Sequence, residues 1–179
     1  LQRFADHVTD DVLGNVQEDT AIATADIEAG QQVTITVREG LLHATPGSEG
    51  PATGVATTAA AEGTDVSVTS FEGVIEMTTG TVTVAQVPPA RDGGSREVDG
   101  EQLEALCADA DHCVAADVEG VVSLRQTGYE PTVTVAAGAV AAEAAAVGMA
   151  VVVVASTDTV GRVTDSLRDG NSTYEVTTL

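Results

Sequence analysis

Two arginines lie close together in a chain that has few cations. Arg91 and Arg96 flank the run Gly93-Gly94-Ser95, whereas the 179 residues contain only seven arginines and no lysine. The planar guanidinium fork matches a carboxylate or a phosphate, and consecutive glycines permit the backbone conformations of an anion-binding nest. We therefore predict that these five residues bind an anion. The alternative is an interdomain linker whose arginines pair with nearby Asp and Glu.

Three turns that follow predicted strands are the other candidate binding positions. In an open parallel sheet, ligands bind beyond the carboxyl ends of the strands, near a switch in strand order. The turns at residues 117–119, 136–138 and 156–158 have this position, and the middle one carries small residues into the start of a helix. Its small side chains would let an anion approach free N–H groups, although close helix–strand packing explains them equally well. The candidate ligand-binding residues here are Asp117, Ala137, Gly138, Ser156 and Asp158.

The remaining reactive residue types show no catalytic or metal-binding pattern. His7, His43 and His112 are far apart and lack metal-ligand spacing. Cys107 and Cys113 are predicted to be buried free thiols. There is no nucleophile motif, and Asp and Glu are so numerous that a pair of them identifies no active site. We therefore assign no catalytic residue, no metal ligand and no cofactor.

The second half of the chain alternates strands with helices. Asp99 is a good N-cap for a helix that points Leu103, Leu106 and Cys107 inward. Helices are also predicted at residues 118–126, with Val118, Val121 and Val122 on the inner face, and at 139–147 and 156–169. Strands are predicted at 113–116, 131–136, 150–155 and 173–176. This alternation with short connections is typical of a parallel sheet with right-handed crossovers.

The first half reads as strands separated by turns. Val33, Ile35 and Val37 alternate with polar residues, and Glu39-Gly40 then predicts a hairpin. A second hairpin is predicted around Thr79-Gly80, between the strands 73–77 and 81–85. Pro88-Pro89 ends the last of these strands. About six short strands indicate a small barrel or sandwich.

These patterns predict a two-part α+β chain. An N-terminal all-β barrel or sandwich spans residues 15–88, and an α/β, Rossmann-like three-layer domain with a mostly parallel four-stranded sheet spans 99–179. Residues 89–98 form the linker between them. Residues 1–14 are a helical linker or the tail of an upstream domain, with an amphipathic helix over 1–8.

The net charge of −21 restricts the partners of this chain. Such an acidic surface repels a phosphate backbone, so these residues are not expected to bind nucleic acid themselves. No apolar run reaches the roughly 20 residues of a membrane span, and no signal peptide is evident, which predicts a cytoplasmic protein. Abundant acids, absent Lys and small core residues are typical of a salt-in halophile such as a haloarchaeon, because molar salt screens the self-repulsion.

Part of the sequence resembles a regulator family. Residues 72–76 (EGVIE), 80–88 (GTVTVAQVP) and 93–96 (GGSR) are similar to the C-terminal region of archaeal winged-helix transcriptional regulators of a MarR-like group, as are the segments 139–148 and 150–155. The resemblance implies that a DNA-binding winged helix precedes Leu1. It also implies that the present chain is the sensor and dimerisation module.

The sequence therefore favours a binding module over an enzyme. We expect the ligand-sensing or dimerisation region of a transcriptional regulator, a homodimer that binds a small anionic ligand and lacks the DNA-binding domain. One alternative is a small α/β enzyme acting on a phosphorylated or nucleotide substrate in the same crevice. The other is a purely structural interaction domain.

Overall fold

The chain folds into two compact units, Leu1–Met77 and Thr78–Leu179. The structure is a computed structural model that describes residues 17–75 and 77–179. The helix predicted over residues 1–8 lies outside the described residues. The predicted fold class is confirmed, because a closed β-barrel is followed by a four-stranded parallel sheet flanked by helices.

Five strands form the barrel of the first unit. They are β1 (Asp19–Ala23), β2 (Gln32–Arg38), β3 (Leu41–Pro46), β4 (Ala52–Ala56) and β5 (Asp65–Gly73). They close in the order β1-β3-β2-β4-β5, with β1 and β3 parallel and the other pairs antiparallel. The hairpin predicted at Glu39-Gly40 joins β2 to β3, and both turn residues have positive φ as a tight two-residue hairpin turn requires.

Alternating side chains of these strands fill the barrel. Val33 and Ile35 of β2 are almost completely buried, and so are Val66 and Val68 of β5. The intervening threonines and serines face outward, because successive side chains of a strand point to opposite faces. The apolar alternation seen in the sequence thus becomes the barrel interior.

The second unit is a three-layer α/β/α sandwich. Its strands are β6 (Val82–Val87), β7 (His112–Ala115), β8 (Val151–Ser156) and β9 (Tyr174–Thr178), and its helices are α1 (Gly100–Ala108), α2 (Val118–Gln126), α3 (Ala137–Ala146) and α4 (Thr157–Asp169). The sheet has the order β7-β8-β6-β9 and is parallel throughout. Helices α1 and α2 pack on one face, and α3 and α4 on the other.

The strand β6 lies in a different sheet from the one predicted. It pairs in parallel with β8 and β9, so the hairpin predicted around Thr79-Gly80 does not form. The division between the units consequently falls at Met77 and Thr78, before β6, and residues 89–98 belong to the first crossover of the second unit. An alternating pattern specifies which face of a strand is buried, but it does not specify the neighbouring strand.

The predicted strand at residues 131–136 is an irregular segment along the sheet edge. The Thr132 N–H donates to the Cys113 carbonyl (2.9 Å) and the Ala115 N–H donates to the Val133 carbonyl (3.0 Å). These two bonds cover the outer edge of β7 without extending into a ladder. The sheet still has the predicted four strands, because β6 joins it and this segment does not.

Helix α2 faces the sheet with a side that is only partly the one predicted, since Val121 packs against the core but its predicted neighbours do not. Val118 and Val122 are exposed, whereas Gly120, Ser123 and Leu124 are buried. A Cβ at Gly120 would lie 2.4 Å from the Val154 carbonyl oxygen. The absence of a side chain at position 120 therefore lets α2 rest directly on the backbone of β8.

Among residues 17–75 and 77–179, no helix combines the length and the apolar character needed to cross a lipid bilayer.

Candidate functional site

The carboxyl ends of β6 and β8 form the switch point of the parallel sheet. The chain leaves β6 towards α1 on one face, whereas it leaves the adjacent β8 towards α4 on the opposite face. Such divergence opens the crevice in which α/β proteins bind ligands. The structure brings three of the predicted segments to this edge: Arg91 after β6, Asp117 after β7, and Ser156 with Asp158 at the end of β8.

Arg91 and Asp158 close this crevice with a two-pronged ion pair. Arg91 lies in a 3₁₀ helix (Ala90–Asp92), and Asp158 lies in the first turn of α4. The Nη1 and Nη2 groups of Arg91 donate to Oδ2 (2.5 Å) and Oδ1 (2.9 Å) of Asp158. Both side chains remain more than half exposed, at 64% and 53%. The hydrogen bonds from Arg91 lower the pKa of Asp158, so this carboxylate stays ionised.

Asp117 ties α2 to the end of β8. Its Oδ1 accepts the Gly120 N–H (2.9 Å) and thereby caps α2. Its Oδ2 accepts both the N–H (2.8 Å) and the hydroxyl (2.7 Å) of Ser156. Burial alone would raise the pKa of Asp117, but the hydrogen bonds from Ser156 and Gly120 outweigh it, so the pKa is lowered.

Two further side chains brace this edge; both lie in the predicted turns but are not among the candidate ligand-binding residues. The Glu119 carboxylate accepts the Ala90 N–H (3.0 Å), and the Thr157 hydroxyl donates to the Val87 carbonyl (3.4 Å). Both residues adjoin predicted positions in their turns. Only their position directly after a strand could have identified them in the sequence. Their partners are backbone groups remote in sequence, which no local pattern reveals.

A family model matches residues 76–176, which is more than half of the chain and spans the second unit from before β6 into β9. The model describes a domain of unknown function, DUF7839. The chain belongs to this family. No curated protein and no solved structure matches the chain. The Arg91–Asp158 and Asp117–Ser156 contacts lie within the DUF7839 segment, whereas the barrel strands precede it.

The two glycines between Arg91 and Arg96 do not form the predicted anion nest. Gly93 and Gly94 have φ of 111° and 61°, which explains the preference for glycine at the junction of two 3₁₀ helices. Their N–H groups donate to the carbonyls of Ala90 and Pro89 and are therefore not free for a ligand. Ser95 is half-buried beside them.

Arg96 differs from Arg91 in its contacts. Its side chain is exposed, and within residues 17–75 and 77–179 it forms no ion pair. Of the two arginines predicted to bind an anion, only Arg91 is held in place, because Asp158 orients its guanidinium.

Ala137 and Gly138 serve packing rather than an open turn. Both are buried, and a Cβ on Gly138 would lie 2.9 Å from the Ser166 Cβ and 3.0 Å from the Val163 carbonyl oxygen of α4. Their small size allows α3 to approach α4 closely. The structure therefore favours close packing over an open turn at Gly138, and the packing partner is helix α4, not the strand that the sequence suggested.

The cysteines of the DUF7839 segment are buried free thiols, as predicted. The Cys113 Sγ lies 4.0 Å from the Cys107 carbonyl oxygen, beneath α1. The hydrogen bond between the thiols and their burial raise the pKa of Cys107. In the part of the chain that the structure describes, no three His, Cys, Asp or Glu residues are grouped to hold a metal ion.

Proposed function

We propose that this chain is the ligand-sensing and dimerisation region of a transcriptional regulator, and that it senses a small anionic ligand at the switch point. The observation that carries the sensing proposal is the exposed Arg91 guanidinium, whose Nη1 and Nη2 groups are held over the crevice by Asp158 while its Nε lies 3.7 Å from the Asp92 carboxylate. The fork is thus already oriented for a bidentate anion.

An incoming carboxylate or phosphate would compete with Asp158 for the same two N–H groups. Because Arg91 lies in the 3₁₀ helix that follows β6 and Asp158 lies in the first turn of α4, the displacement would release α4 from the segment that leads from β6 to α1 on the opposite face of the sheet. The first turn of α4 favours an anion further, since the Ser156 hydroxyl donates to Asp117 and no side chain caps this helix. Ligand binding would therefore change a contact between two layers.

The charge states at this edge argue against general-acid catalysis by Asp117 or Asp158. Asp117 and Asp158 both have lowered pKa values, so both are ionised at neutral pH and neither supplies a proton as a general acid. The oxygens of Asp117 already accept three hydrogen bonds. An enzyme acting on an anionic substrate would need its proton donor elsewhere.

Anion-induced thermal stabilisation tests the sensing role. We would measure unfolding of the wild type in molar potassium chloride with added inorganic phosphate, sulfate or short dicarboxylates. The control is Arg125→Ala, because Arg125 forms an equally exposed ion pair with Glu130 at the end of α2. We expect an anion to raise Tm for the wild type and for Arg125→Ala but not for Arg91→Ala. An equal response of Arg91→Ala, or no response of the wild type to any of these anions, refutes the site.

The regulator role has a separate test. Its support is the resemblance of residues 72–76, 80–88 and 93–96 to archaeal winged-helix regulators. Sequencing the codons immediately upstream of Leu1 tests the regulator role. A basic helix-turn-helix encoded there supports the proposal, and a start codon there overturns it.

A further inference from the structure

One stretch of this highly charged chain is almost free of charge. Residues 131–157 contain a single charged side chain, Glu143, although the whole chain has 28 acidic residues and seven arginines. The stretch is not simply interior. Val135 is 74% exposed, Val140 is 36% exposed, and Ala139 is exposed beside it.

These residues border an apolar groove between α3 and the edge strand β7. The groove has a volume of about 550 Å³, and its apolar lining includes Val114, Val133, Val140, Ala144, Val147 and Met149. The inner side of α3 packs on the sheet and on α4 through Ala141 and Ala145. Apart from Glu143, every residue of α3 is Ala, Gly or Val, and a helix this apolar is normally buried on most sides, yet the outer side of α3 is uncovered.

We propose that a second copy of this chain packs against the groove between α3 and β7, which gives the dimerisation part of the proposed function a defined surface. Each copy carries a net charge of −21, so contact through a typical acidic surface would press carboxylates together. Molar salt screens this repulsion at a distance, but carboxylates buried in an interface must still lose their water.

The groove reduces both costs, because each copy contributes a single acidic lining residue, Glu143, and His112 is the only other titratable one. A cationic partner would instead be attracted to the acidic surfaces and would gain little here. In a two-fold dimer the same patch serves both subunits, and the alanines of α3 let the paired helices approach closely.

The oligomeric state of the full chain in molar potassium chloride tests this proposal, measured by light scattering after size exclusion. We expect the wild type to be a dimer, and Val140→Glu and Ala139→Glu to raise the dimer Kd about tenfold or more, because each places a carboxylate in the contact. The matched control is Val118→Glu, since Val118 is a 74% exposed valine on α2. It should leave the dimer intact. Far-ultraviolet circular dichroism verifies that each variant is folded.

Several results would overturn the proposal. They are a monomeric wild type, a dimer that survives both α3 substitutions, or equal dissociation by Val118→Glu. If the monomer instead binds an apolar dye and Val140→Glu abolishes that binding, the groove belongs to a small apolar ligand. An Arg91→Ala protein that loses its anion response but remains dimeric would show that the two parts of the proposed function are independent.

Discussion

Asp117 makes contacts whose loss can be predicted in size. Replacement by Ala removes the cap of α2, which costs about 1 kcal/mol, because the Gly120 N–H loses its acceptor. It also leaves the partly buried Ser156 N–H without its acceptor, which costs about 1–3 kcal/mol, whereas the Ser156 hydroxyl can still donate to the Thr159 hydroxyl 3.4 Å away. The expected loss in free energy of unfolding is therefore about 2–4 kcal/mol.

The matched control is Asp99→Ala. Asp99 caps α1 through one hydrogen bond to the Gln102 N–H (3.1 Å) and makes no second connection of the kind that Asp117 makes to β8. Its replacement should therefore cost only about 1 kcal/mol. The difference between the two variants isolates the link between α2 and the end of β8.

Urea denaturation followed by tyrosine fluorescence is the appropriate assay. The chain has no tryptophan, and its only tyrosines, Tyr129 and Tyr174, both lie in the second unit. The signal therefore reports the unit that contains Asp117 and is insensitive to the barrel. If Asp117→Ala destabilises this unit no more than Asp99→Ala does, the inferred link is wrong.

Three further predictions use the same assay. Because the pKa of Asp117 is lowered in the folded state, its contribution should be full above the unfolded value of about 3.9 and disappear as the pH falls further, so wild type and Asp117→Ala should converge in stability in acid. Gly120→Ala should destabilise the second unit by about 1–3 kcal/mol, since the new Cβ would meet the Val154 carbonyl, which cannot move aside. Gly161 lies in an open part of α4, with no atom within 4 Å of a new Cβ, so Gly161→Ala should instead stabilise the second unit by about 0.5–1 kcal/mol. A lower free energy of unfolding for this variant would show that the space is not open.

The fold was predictable where local patterns decide it. The hairpin at Glu39-Gly40, the cap at Asp99 and the apolar run Val151–Ala155 of β8 follow from turn chemistry, capping and burial on both faces. The pairing of β6 was not predictable in this way. Its partners begin at Val151 and Tyr174, some 70 and 90 residues further along, and alternation carries no information about them.

The candidate site shows the same division. Arg91 stands out in the sequence because cations are scarce, and Asp117, Ser156 and Asp158 stand out because they follow strands. The partner of Arg91 is 67 residues away, so the ion pair emerges only from the topology. Gly138 was predicted to bind a ligand, but it packs against α4. A small residue in a sequence does not reveal whether it faces a ligand or a neighbouring helix.

The position of β6 also has a consequence for how the second unit folds. This strand lies between β8 and β9, yet it precedes both in the chain, and the pair Thr83 and Glu175 joins residues 92 positions apart. Such distant parallel pairing folds slowly, because a long loop must close before the contacts form. The barrel strands pair with strands that are closer in sequence. We therefore expect the barrel to fold during synthesis, before β8 and β9 are available to pair with β6. A kinetic refolding experiment should accordingly show tyrosine fluorescence, which belongs to the second unit, recovering after the secondary structure of the barrel.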